Sequence, residues 1–133
     1  MSSARFEVQV RYAAAIDAGD HDRLDQVFTP GAHLDFRQAG GVAGAYPEVK
    51  AWLRGAMARF DRLEHVVTNL RPAPGGAPDD TVCDVHATHG YLEGEAARSF
   101  VLRGQYHDSW AETEDGSRIV ARTFVVLSLD GDI

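Results

Sequence analysis

Apolar residues recur at helical spacing in the first part of the chain and at strand spacing in the second. Phe6, Val10 and Ala13 fall three and four residues apart, which predicts a helix over 3–18 with those side chains on its buried stripe and Gly19 as its stop. Asp20 is placed to cap a second, short helix in which Leu24, Val27 and Phe28 form an i, i+3, i+4 patch. Thr29-Pro30-Gly31 reads as a turn, and Ala32–Arg37 alternates like a strand. Three glycines within Gln38–Ala45 predict an irregular loop. Pro47 suits the first turn of a third helix, with Val49, Leu53, Ala56 and Phe60 on its buried side.

From Leu63 onward the period becomes two. Leu63–Arg71, Thr81–His89, Arg98–Trp110 and Arg118–Leu129 read as strands, with Pro72–Asp80 and Ala111–Ser117 as hairpin loops. Helices first and a meander afterwards predict an α+β fold. The expected architecture is one domain over 1–133: a cone-shaped, curved antiparallel sheet, wrapped by three N-terminal helices and enclosing an apolar pocket.

Composition narrows the function. At 133 residues and 44% hydrophobic, the chain is long enough to bury a core without staples. A net charge of −7 argues against nucleic acid and anionic membrane as partners. Cys83 is the only cysteine, so no internal disulfide forms, which suits a reducing cytoplasm. Met1–Val10 has no apolar run behind a basic start, which predicts no signal peptide, and no segment approaches a spanning helix of ~20 apolar residues. The expected location is cytoplasmic.

The candidate chemistry starts at Asp17. At ~100° per residue it falls within about 40° of the Phe6–Val10–Ala13 line, so it points towards the core. A carboxylate there is costly unless it is paired or lines a cavity; the plainer reading is a side chain fraying to solvent at the helix end. His65 and Asn69 share one strand face with Val67, spanning about 13 Å. They line a pocket or lie on the wet face, and alternation alone leaves both open. His86 and His89 lie on opposite faces of their strand, so at most one enters the same cavity. That odd spacing, with no HExxH or paired-cysteine pattern, argues against a metal site. No GxSxG, P-loop or dinucleotide fingerprint is present, and no cofactor is expected. Tyr12, at the edge of the first helix's stripe, and Tyr106 are candidate phenolic donors.

The order of these parts carries a resemblance. Arg11-Tyr12-Ala13-Ala14-Ala15-Ile16-Asp17-Ala18-Gly19-Asp20, Leu24–Gly31 and Leu34-Asp35-Phe36 resemble the opening of the nuclear transport factor 2-like superfamily. With His65-Val66-Val67-Thr68-Asn69, Val85-His86-Ala87-Thr88-His89 and the terminal strand, the chain is similar to its SnoaL-like group, which includes scytalone dehydratase, bile acid 7α-dehydratase, ketosteroid isomerase and polyketide cyclases. The motifs are short and tolerant, so they transfer the fold better than the reaction.

By that resemblance, Tyr12 matches a helix-1 tyrosine that donates a hydrogen bond in the isomerases and the bile acid dehydratase. Asp17 matches the dehydratases' helix-1 aspartate, which pairs with a histidine; His65 matches their proton-transfer histidine, and His89 the second pocket histidine of scytalone dehydratase. Phe36 departs from the pattern: it stands where ketosteroid isomerase has its general base and where scytalone dehydratase has a tyrosine. A steroid-type isomerase is therefore not expected.

The expectation is a cofactor-independent, dehydratase-type lyase, or a related cyclase or isomerase, acting on a small apolar carbonyl compound of polyketide, terpenoid or steroid character. His65, Asp17, Tyr12 and His89 would act on it, with Asp17 hydrogen-bonded to a pocket histidine (His65 or His89), and Phe36, Tyr46, Trp52, Asn69 and Tyr106 would contact it. Gly40–Gly44 would form a lid, with Tyr46 closing the mouth. The competing reading is a non-catalytic domain that holds a hydrophobic ligand or a protein in the same cone. An open sheet of this kind is expected to self-associate as a dimer or trimer.

Overall fold

Residues 3–132 are described by the computed structural model; the leader expectation at Met1–Val10 falls partly on residues 1 and 2, outside that range. Helix α1 spans Ser3–Ala18 and ends on Gly19, whose φ of 69° is the left-handed cap conformation that glycine adopts at no steric cost. The backbone N–H groups of Gly19 and Asp20 close the end on the carbonyls of Ile16 and Ala15. The second helix is a 3₁₀ segment, His21–Gln26, and α2 spans Tyr46–Met57 with Pro47 in its first turn.

Six strands follow the order β2-β1-β6-β5-β4-β3 in one curved, unclosed sheet: β1 Phe28–Asp35, β2 Ala43–Ala45, β3 Arg62–Pro72, β4 Thr81–Glu93, β5 Ala96–Thr113 and β6 Gly116–Gly131. The α+β class and the four long strands are those expected from the alternation. One pairing differs from a pure antiparallel meander: β1 lies parallel to β6, which makes the sheet mixed. Thr29-Pro30-Gly31 is not a turn but part of β1, where the register to β6 slips between Phe28 and His33; a proline without an N–H is tolerated at such an irregularity. The glycine loop holds a 3₁₀ turn (Arg37–Ala39) and β2, and the Phe36 N–H closes it on the Val42 carbonyl.

Bulges bend the sheet around its core. The β5–β6 register shifts at Arg103/Gly104 and at Ser109/Trp110, and such insertions increase local twist. At the first of these the chains approach so closely that a Cβ on Gly104 would overlap the Val125 carbonyl oxygen.

Helix α1 is turned from its expected face. Phe6 and Val10 are 37% and 45% exposed, while Val8, Tyr12, Ala15 and Ile16 are buried. The cause is polar: Gln9, on the inner face, is fully buried and donates from Nε2 to Asp108 Oδ2 at 2.6 Å. Tyr12, expected at the stripe's edge, is at its centre. No described helix is long and apolar enough to cross a membrane.

Candidate active site

The last turn of α1 packs against β3, and this contact brings Asp17 to His65. The His65 backbone N–H donates to both Asp17 oxygens, at 3.1 and 3.0 Å, and the ring Nδ1 lies 2.7 Å from Oδ1. A carboxylate oxygen accepts, so in the neutral ring Nδ1 carries the proton and Nε2 holds the lone pair. The His65 side chain is 7% exposed and that of Asp17 28%, so the pair lies at the edge of the core with the carboxylate on its wetter side.

His65 pairs across the sheet with Ala87, which places His89 diagonally beside it on the same face. The two imidazole centroids are 5.9 Å apart. His89 is buried, stacked on Phe100 at 4.6 Å and met edge-on by Phe60 at 4.9 Å. Its Nδ1 lies 3.0 Å from the Ala87 carbonyl, an acceptor, so this ring also keeps its proton on Nδ1. Burial, reinforced by His65, pushes the His89 pKa down to about 4 and leaves it neutral at pH 7. His86 lies exposed on the other face of β4.

Both histidines line a cavity of about 100 Å³. Tyr12, Tyr106, Phe36, Trp52 and Phe124 complete much of its wall. The cavity opens into a wider vestibule of about 520 Å³; Ala39, Arg59, Phe60, Phe100 and Leu102 border both, and Tyr91, Leu92 and Leu129 continue the vestibule outward. Tyr12 meets His65 edge-on at 6.4 Å and Tyr106 at 5.4 Å. Burial raises the pKa of both phenols, so both remain protonated and able to donate. Burial likewise pushes the Cys83 thiol up to about 12, which makes it inert as a nucleophile.

Two expected contacts lie elsewhere. The Asn69 Nδ2 donates to Asp84 on the exposed side, because the β3–β4 register breaks after Thr68 and Asn69 adopts a φ of 56°. The strand alternation that would align it with His65 stops one residue earlier. Tyr46 donates its hydroxyl to Asp25 Oδ1 at 2.6 Å and packs on Phe28, away from the cavity mouth. It pins α2 to the 3₁₀ segment instead of closing a lid. Of the glycine segment, Gly40 reaches the cavity wall and Gly41 lies against the Trp52 ring, where a Cβ would be within 2.7 Å of Cζ2.

The sequence reading overlooked Arg122. Its side chain is fully buried beneath the tyrosines, with Nε 2.7 Å from Asp108 Oδ1 and Nη2 2.9 Å from Oδ2; Nη2 also donates to Gln9 Oε1. Its guanidinium carbon lies 3.9 Å from the Tyr106 ring centroid and 4.5 Å from that of Tyr12. Burial works against its charge, but the Asp108 carboxylate outweighs that and the pKa is raised. The available signal was Arg122-x-Phe124-x-Val126, an arginine in phase with inward apolar residues.

A family model described as SnoaL-like domain matches residues 6–123. Uncharacterized proteins of Mycobacterium tuberculosis and Mycobacterium bovis are 34% identical over 125 residues, covering 90% of this chain and 83% of theirs. Among solved structures, a Kribbella flavida protein superposes with a TM-score of 0.82 at 20% identity, over 96% of this chain and 91% of that one. A scytalone dehydratase-like protein of Novosphingobium aromaticivorans gives 0.80 at 16%, over 98% and 87%. The hexachlorocyclohexane dehydrochlorinase LinA-type3 of Novosphingobium barchaimii gives 0.77 at 16%, over 98% and 88%. The structural likenesses carry the fold; the family model, over residues 6–123, carries the assignment, and the chain belongs to the SnoaL-like domain family.

Proposed function

We propose that this protein is a cofactor-independent acid–base lyase of the dehydratase type, or a related cyclase or isomerase, acting on a small apolar carbonyl compound. The observation that supports it most is the 2.7 Å contact between His65 Nδ1 and Asp17 Oδ1 at the wall of an aromatic cavity. A domain that only holds an apolar ligand has no need of an ionisable pair there. The dehydratase and dehydrochlorinase neighbours favour elimination chemistry on this fold.

In this reading His65 Nε2 takes a proton from the carbon beside the substrate carbonyl, and Asp17 stabilises the imidazolium. The electron pair moves onto the carbonyl oxygen, where a protonated phenol, Tyr12 foremost, donates to the developing charge. It then returns to form the C=C bond as the β-hydroxyl leaves, and that hydroxyl takes the proton back from His65 to depart as water. His89, neutral and with a free Nε2, accepts from the substrate hydroxyl and orients it. In a cyclase or isomerase the same proton returns to carbon or oxygen instead.

The test is turnover of a panel of β-hydroxy ketones and hydroxy-aryl ketones by wild type and His65→Ala. A loss on the order of 10²–10⁴ in rate is expected for an acid–base group. A loss under about fivefold on a turned-over substrate removes His65 from the mechanism. Saturable binding of these compounds with no turnover returns the protein to the ligand-holding class.

A further inference from the structure

The distribution of ion pairs singles out one cation at the pocket. Every Lys and Arg except Arg59 has a hydrogen-bond or ion-pair partner among the described residues: Arg122 on Asp108, Arg71 on Asp84, Arg103 on Asp130, Lys50 and Arg54 on Asp22, and the rest on nearby acids or carbonyls. With acids in excess by seven, an unpaired guanidinium stands out. Arg59 follows α2 yet makes no hydrogen bond to its terminal carbonyls. It leans over Phe60, with Cζ 4.9 Å from the ring centroid. Its position is where the inner cavity meets the vestibule, since it borders both. The acid on the vestibule wall, Asp132, is engaged by the Ser99 N–H at 3.1 Å and by Arg98 at 3.9 Å, so it does not neutralise Arg59.

Size points the same way. The inner cavity, at about 100 Å³, takes only the reacting end of a substrate, whereas ligand pockets commonly run to ~300–1,000 Å³. The remainder must lie in the vestibule, along Phe60, Phe100 and Leu102, and pass the guanidinium.

We infer that the natural substrate is amphipathic, with a small reacting end beside His65, an apolar middle in the vestibule, and an anionic group such as a carboxylate held by Arg59. This rests on the proposed reading of the cavity as a substrate site and specifies the class of molecule it takes. The planar guanidinium fork matches an oxyanion in two bonds, which a lysine cannot reproduce. Arg59 thus selects substrate without touching the reacting atoms.

Two fluorescent probes with the same aromatic body separate charge from shape: anilinonaphthalene sulfonate, an anion, and N-phenylnaphthylamine, which is neutral. Titration of wild type, Arg59→Gln and Leu102→Trp gives the comparison. Arg59→Gln should weaken the sulfonate by about three- to tenfold, the span of a partly solvated charge-assisted contact, and leave the neutral probe within about twofold. Leu102→Trp, which fills the shared wall, should weaken both. If Leu102→Trp displaces both probes and Arg59→Gln changes neither, or both equally, the anionic end is wrong and the pocket reading stands. If wild type binds neither probe saturably, or Leu102→Trp leaves both untouched, the cavity is not their site and both readings fall. Arg59 is exposed and unpaired, so its replacement is not expected to disturb folding.

Discussion

His65 holds Asp17 twice, once through its backbone N–H, shared by both carboxylate oxygens, and once through its ring Nδ1 at 2.7 Å. The backbone contact orients the carboxylate even when the imidazole changes its charge. This is the arrangement an acid–base histidine needs, because the tautomer is set before substrate arrives.

Asp17→Asn should keep the fold, since the amide oxygen still accepts from the His65 backbone. It should lower turnover by about 10²–10⁴, as the neutral amide no longer stabilises imidazolium and permits the wrong tautomer. Thermal melts and kcat on any substrate found for the wild type check both halves; unchanged kcat with an intact fold would sink the pair.

Acid should destabilise the protein through His89. Its pKa is depressed from 6.5 to about 4 in the folded state, so the unfolded chain binds the extra proton first. Stability conferred by the neutral ring is complete above about pH 6.5 and is lost as pH falls towards 4. His21, whose pKa burial also lowers, acts in the same direction. Urea midpoints measured from pH 7.5 to 4.5 should fall, and His89→Phe should flatten the slope. A slope identical in that variant would assign the effect elsewhere.

The buried Arg122–Asp108 pair makes an asymmetric prediction. Arg122→Met leaves the Asp108 carboxylate buried without its cation and should cost about 3–5 kcal/mol. Replacing both, Arg122→Met with Asp108→Leu, should recover much of that loss, although Gln9 then lacks its partners. Equilibrium unfolding of the two variants decides it, and equal losses would contradict the charge argument.

Gly104→Ala should cost on the order of 1–3 kcal/mol, because the added methyl meets the Val125 carbonyl and the Phe124 ring at the β5–β6 bulge. Gly31→Ala meets nothing within 4 Å and should be near neutral. Thermal midpoints of the two variants give the contrast.

Much of this molecule is legible in its residue pattern. Four long strands follow from period-two alternation, α1 and α2 from helical spacing, and the stop at Gly19 from the freedom of glycine. The residues of the pair, Asp17 and His65, stand out because carboxylates and imidazoles seldom sit in apolar stripes without a partner. Yet Asp17 was singled out by alignment with Phe6, Val10 and Ala13, and the first two of these face outward. It lies against His65, one of the two histidines expected as its partner, but of the helix stripe that picked it out only Ala13 is buried.

The sequence by itself determined the elements, their order and the chemical types available, since these depend on local periodicity and backbone preference. Tertiary structure decided what local pattern cannot carry. The face α1 buries is set by Gln9 joining Arg122 and Asp108, contacts about a hundred residues apart in the chain. Bulges decide which side chains enter the cavity: the break after Thr68 turns Asn69 out, and the β5–β6 shift at Ser109/Trp110 brings Ile119 and Arg122, three residues apart, to the same buried side. A one-residue insertion reverses every later side chain in a strand, and its position depends on the partner strand rather than on the residues it displaces.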